Sequence, residues 1–122
     1  MSLFKTSLKN EGNKPTRYYS KKQENSIAAA VGGKTTPNSG ATPFAPGDVK
    51  TNKFLIECKT KMSSSKSISI KKEWIQKLRD ESLFAGKEYE ALIFNIGPDE
   101  ENYAIIDMNL FQILLEIIEG EN

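Results

Sequence analysis

The chain has no histidine and a single cysteine, Cys58. Those shortages remove an internal disulfide, an ordinary zinc site, and every triad or general base built on imidazole. Catalysis, if the chain performs any, must run on carboxylates, lysines and hydroxyls. Long apolar runs are missing too, since nothing approaches the roughly 18 residues that read as a membrane span. The opening MSLFKTSLKNEGNKPTR carries lysines but no apolar signal core. The sequence therefore predicts neither secretion nor anchoring, and a cytoplasmic protein with no membrane partner.

What is present is enough for one small core. A hydrophobic fraction of 38% with 27% charged residues over 122 positions fits a single globular domain with some flexible segments. The net charge of +1 hides a division. Met1 to Lys72 holds 14 Lys and Arg against four acids, a net of +10, whereas Glu73 to Asn122 holds three against 12, a net of −9. The front half is a candidate surface for a polyanion and the rear half is not. The plainer alternative is that the two halves mix their charges in space after folding.

Residues 1–16, with Gly12, Pro15 and three lysines, read as a basic flexible arm, leaving 17–122 as one domain. TRYYSKKQENSIAAAVGG reads as a helix, with Tyr19, Gln23, Ser26, Ile27 and Ala30 at helical spacing and Gly32-Gly33 as its stop. KTTPNSGATPFAPG is a loop with a short strand at 34–36. A hairpin follows, DVKT and FLIECKT around a turn at Asn52-Lys53. SISI, 67–70, alternates as a short strand does. KKEWIQKLRDESLFAGK predicts a helix whose stripe is Trp74, Ile75, Leu78 and Ser82, ended by Ala85-Gly86. YEALIFNIG is a buried-type strand, PDEEN a turn and YAIID a strand. MNLFQILLEIIEG is a closing helix capped by Asp107 or Asn109. The expected fold is α/β, a central mixed sheet flanked by helices.

The hairpin carries the chemistry. Side chains alternate along a strand, so Leu55, Glu57 and Lys59 share one face and Phe54, Ile56 and Cys58 the other, which suits the core. Asp48 opens the neighbouring strand across from the Glu57 end. Two carboxylates and an amine gathered there suit a divalent metal beside a phosphate, since Mg²⁺ takes oxygen ligands from a few carboxylates and from substrate. A surface hairpin with a cross-strand salt bridge is the competing account. Cys58 reads as a small core hydrophobe.

GDV followed by FLIECKT resembles the PD-(D/E)xK nuclease superfamily, whose mark is an Asp on one strand and Glu-x-Lys on the next. Asp48, Glu57 and Lys59 match it, with Pro46-Gly47 just ahead of the Asp. Glu24 stands where the superfamily carries a glutamate on its first helix, and NSGA supplies Ser39 where archaeal- and phage-type Holliday junction resolvases carry a Ser-Gly loop. The resemblance spans Arg17 to Gly97, and the short nine-residue step from Asp48 to Glu57 departs mildly from it. It implies a restriction-endonuclease-like fold and a Mg²⁺-dependent endonuclease, with Mn²⁺ able to substitute, acting on DNA. It implies metal ligation by Glu24, Asp48 and Glu57, a catalytic role for Lys59, and assistance from Ser39 near the scissile phosphate. It also implies four-way junctions as substrate, symmetric cleavage by a homodimer, and a phage- or virus-encoded protein acting in the host cell.

Lys21, Lys22, Lys34, Lys50, Lys61 and Lys66 are the candidate contacts to the DNA backbone, by nonspecific phosphate binding. Tyr18 and Tyr19 are candidates for base stacking, with packing as the plainer role, and Gln76 is a weaker candidate for supporting Lys59. In the last helix Leu110, Phe111, Ile113, Leu114, Leu115, Ile117 and Ile118 cover more than one stripe. The expectation is a self-association face, against the alternative of a helix sunk in the core. Other DNA substrates (nicked, mismatched or linear duplex) and a noncatalytic DNA-binding role remain open at this point.

Overall fold

The computed structural model describes residues 16–36, 47–61, 65–97 and 100–120. In chain order they form α1 (Thr16–Val31), β1 (Lys34–Thr35), β2 (Val49–Lys50), β3 (Phe54–Lys59), α2 (Lys72–Phe84), β4 (Tyr89–Phe94), β5 (Tyr103–Ile105) and α3 (Met108–Gly120). The basic arm falls outside the described residues except for Thr16, which already belongs to α1.

The five strands make one sheet in the order β1-β2-β3-β4-β5. β1 and β2 pair antiparallel, as do β2 and β3, and β4 and β5, while β3 and β4 run parallel. A parallel pair needs a crossover, and α2 supplies it. The expected α/β class with a mixed sheet and flanking helices is what the chain forms. α1 packs on β1, β2 and β3, and α2 packs on β3 and β4.

Two small cores result, one on each face of β3. Ile27 and Ala28 of α1 meet Val49, Ile56 and Ala91 on one side. Leu78 of α2 meets Leu55 and Leu92 on the other, with Ile70, Trp74 and Ile105 packed at the margin. The expectation that Phe54, Ile56 and Cys58 fill the core holds fully only for Ile56, because Phe54 and Cys58 are half-buried. Leu55, on the face shared with Glu57 and Lys59, has no exposed surface at all. A strand in the middle of a sheet is covered on both faces, and the apolar start of β3 answers to that.

Local signals explain the ends of the elements. α1 stops at Gly32, whose φ of 68° is left-handed, and the Gly33 N–H donates to the Ala28 carbonyl at 2.9 Å. The hairpin turn closes where the Thr51 N–H donates to the Phe54 carbonyl at 3.0 Å and the Phe54 N–H donates back to Thr51 Oγ1 at 3.0 Å. Asp107, rather than Asn109, caps α3: its Oδ1 accepts from the Leu110 N–H at 2.8 Å.

Two expectations fail. Ser67–Ile70 is not a strand. Alternation makes a strand only where the segment meets a ladder partner, and Ser67–Ile70 pairs with none of the five strands. Ile70 instead packs against the Leu55 core as the chain enters α2. Nor do Ser26 and Ala30 belong to the buried stripe of α1, which is Gln23, Ile27 and Ala28. For α3, the alternative of a helix sunk in the core is not what forms, since Leu110 is its one buried residue among those described.

Candidate active site

The β2–β3 hairpin joins the two carboxylates. Val49 pairs with Ile56 and Lys50 with Leu55, and Asp48 stands just ahead of Val49 at the Glu57 end of the hairpin. The Asp48 N–H donates to the Ile56 carbonyl at 2.9 Å, and the Asp48 carboxylate oxygen Oδ2 accepts from the Cys58 N–H at 2.8 Å. A charge-assisted bond of that kind fixes a buried carboxylate against the backbone. Gly47 makes the approach possible. Its φ is 73°, and a β-carbon at that position would collide with the side chain of Leu55.

Glu57 and Lys59 lie side by side on the α2 face, with Glu57 Oε2 and Lys59 Nζ 3.7 Å apart. The lysine ammonium also sits 4.6 Å from the ring centroid of Trp74, the third residue of α2. Lys71 Nζ approaches the same indole at 5.8 Å. Burial pushes the Glu57 carboxyl up to about 7 from the ordinary 4.5. Asp48 adds to the rise as a like charge, Lys59 opposes it, and Glu81 and Lys77 make smaller contributions of opposite sign. Cys58 is pushed up as well, first by burial and then by the fields of Asp48, Glu24 and Glu57, so its thiol stays protonated.

Asp48, Glu57 and Lys59 thus share one corner, as the hairpin reading expected. Glu24 is half-buried on α1, across the sheet from α2, and its field falls on Cys58. Among the described residues no three carboxylate or thiol side chains gather closely enough to hold one metal ion. The pair at 48 and 57 has the right chemistry for a hard divalent cation. Burial and the neighbouring Asp48 raise the proton affinity of Glu57, and a cation relieves that cost. Ser39 lies outside the described residues.

The lysines divide between the two sides of the sheet. Lys34 pairs with Lys50 and Lys50 with Leu55, which puts both lysines on the face of Glu57 and Lys59. Like charges directly opposite one another on a sheet are unfavourable, and a polyanion removes the conflict. Lys21 and Lys22 are exposed on α1, on the opposite side. Lys61 Nζ is 3.4 Å from Ser65 Oγ, and Lys66 is exposed. Tyr18 and Tyr19 pack edge to face on each other at 5.2 Å.

Two features escaped the sequence. Trp74, read only as part of an apolar stripe, is the α2 residue that meets Lys59, while Gln76 is exposed. The single tryptophan beside two lysines in KKEW was the available signal. Gln23 is the second. It is buried, and its Nε2 donates to the Lys59 carbonyl at 2.9 Å and to Asn102 Oδ1 at 3.2 Å, tying α1 to the end of β3. It lines a polar cavity of about 200 Å³ with Tyr19, Lys22, Thr60 and Asn95. No protein family, curated protein or solved structure matches this chain.

Proposed function

We propose that this chain is a Mg²⁺-dependent endonuclease of the PD-(D/E)xK type that cuts DNA at four-way junctions as a homodimer, with Mn²⁺ able to substitute. The observation that carries the reading is the meeting of Asp48, Glu57 and Lys59 at one end of the β2–β3 hairpin, with Glu57 held near neutrality by burial and by Asp48. An exposed salt bridge would leave the glutamate with an ordinary acidity.

Asp48 and Glu57 would hold the cation, with Glu24 of α1 as the further ligand that the resemblance implies. Bound Mg²⁺ supplies the Lewis acid that polarises the phosphate and lowers the pKa of its water. The Lys59 ammonium donates to the attacking water or to a phosphoryl oxygen as negative charge builds there. Ser39 assists beside the scissile phosphate. Lys34 and Lys50 anchor the backbone on the same face, and Lys21, Lys22, Lys61 and Lys66 extend the contact, so affinity falls steeply with added salt. α3 supplies the two-fold contact that a pair of opposed cuts requires. The protein acts in the cytoplasm of a host cell, as a phage or viral product.

The test is cleavage mapping on synthetic four-way junctions and matched linear duplexes, with Mg²⁺ or with chelator. Paired, symmetric cuts on the junction alone are expected. Cuts on linear or nicked duplex keep the nuclease and remove the junction. Binding with no cleavage in either metal makes the chain a noncatalytic DNA-binding protein. Asp48→Asn and Glu57→Gln are each expected to abolish cleavage while sparing junction binding. Cleavage at the parental rate by either variant removes the catalytic assignment.

A further inference from the structure

The geometry points to Trp74 as a positioning residue for Lys59, an inference that rests on the nuclease reading above. A lysine at the end of a strand has a long flexible stem and an ammonium that water solvates well. Left alone it samples many rotamers. Here the ammonium has two fixed neighbours of different kinds. Glu57 Oε2 stands 3.7 Å away on the same strand, and the Trp74 ring centroid stands 4.6 Å away on α2. The second distance is well inside the roughly 6 Å within which an indole face attracts a cation, and tryptophan is the strongest of the aromatic partners.

The fold gives the ring little freedom to leave. Trp74 packs against the Leu55, Leu78 and Leu92 core, and its position in the first turn of α2 is set by the crossover from β3 to β4. Lys59 pairs in register with Phe94 at the end of β4, so its backbone is fixed as well. One anchored ring and one anchored strand therefore define where the ammonium sits. A carboxylate partner alone does not do this when the carboxylate also binds a cation. With a cation at the site Glu57 would be its ligand, and the indole would be the neighbour that keeps Lys59 at the corner. Lys71, 5.8 Å from the same ring, shares this π surface and adds a second positive charge to the approach for phosphate. The plain alternative is that the methylene stem of Lys59 merely covers the edge of the apolar core, as long charged side chains do.

Two variants separate the accounts. Trp74→Phe keeps a π face, and Trp74→Met keeps an apolar side chain without one. The first readout is the Lys59 ε-methylene resonance in protein labelled at the lysine ε-carbon, assigned by its loss in Lys59→Arg. An indole face shifts that signal upfield. The shift is expected in the wild type, reduced in Trp74→Phe and absent in Trp74→Met, and its absence from the wild type overturns the clamp even where neither Trp74 variant folds. The second readout is single-turnover cleavage of a four-way junction with Mg²⁺. Trp74→Phe is expected to stay within about threefold of wild type, and Trp74→Met to lose on the order of tenfold to a hundredfold in rate at unchanged junction affinity. Equal rates for the two variants overturn the positioning role even where the shift is present. No cleavage by the wild type on any DNA removes the nuclease reading and the role with it, while the resonance still reports whether the ring and the ammonium meet.

Discussion

Among the described residues the most apolar helix is almost entirely exposed, and a strand that ends in charges is held inside the fold. α3 carries Phe111, Ile113, Leu114, Leu115, Ile117 and Ile118, each at least 40% accessible. β3 carries Glu57 and Lys59 beside Leu55, which has none of its surface accessible. Composition sets what a segment prefers, but neighbours set what it gets. β3 has strands on both edges and helices on both faces, so its last residues are drawn inward with the rest. α3 follows the edge strand β5 and meets little of its own domain. Cost is accepted in both regions: desolvated charge in one, hydrated apolar surface in the other. The first suits a cation and the second a partner chain.

The widest separation between the two regions is expected in unfolding experiments. Leu55→Ala opens a cavity between α2 and the sheet, and about 2–5 kcal/mol of stability is expected to go, measured by urea titration. Gly47→Ala attacks the same place from the backbone. The added β-carbon meets the Leu55 side chain in a left-handed conformation that alanine avoids, and a loss of about 1–3 kcal/mol is expected. If either variant unfolds at the parental urea midpoint, the β3 core is less tightly packed than its burial indicates.

Much of this was legible. The helices, the hairpin and β4 announce themselves by periodicity and by glycine, and the charged trio could be placed by counting along two strands. What failed to show was relational. Nothing in SISI reveals that it meets no ladder, because that depends on where the strands are laid down elsewhere. Nothing in Leu55 reveals that the face it shares with Glu57 is roofed by α2, and so nothing forecast the acidity of Glu57. Trp74 and Gln23 matter through distant contacts with Lys59, at sequence separations that no local pattern encodes. The third metal ligand at Glu24 rests on resemblance, since its field falls on Cys58.

A smaller effect is expected from pH, and it has a definite sign. The Glu57 carboxyl holds its proton up to about 7 in the folded chain, against 4.5 for the ordinary group. Between those values the native state binds more protons than the unfolded state. Stability from this group is therefore complete below about pH 4.5 and lost as pH rises through 7. Glu57→Gln removes the titration, so the variant is expected to exceed wild type by on the order of 1–3 kcal/mol at pH 8 and to match it near pH 4. Thermal melts at the two pH values measure this. Added Mg²⁺ is expected to raise the wild-type Tm at pH 8 and to leave Glu57→Gln nearly unchanged, because only the wild type has both carboxylates to offer. Equal responses of the two proteins to Mg²⁺ place the ion elsewhere.

The smallest expected change in monomer stability belongs to α3, and that smallness is its test. Leu114→Glu with Ile117→Glu alters two side chains that are 40% and 54% accessible, so the cost to the isolated fold is expected to stay near 0.5 kcal/mol per site. The same pair of charges is expected to abolish association, because two glutamates buried at a two-fold contact meet their own copies and have no water to solvate them. Light scattering is then expected to give twice the chain mass for the wild type and the single mass for the variant. The wild-type Tm is expected to rise with protein concentration while that of the variant does not. A variant that loses as much stability at high dilution as Leu55→Ala does would mean that α3 packs on its own domain after all, and the contrast between strand and helix would disappear.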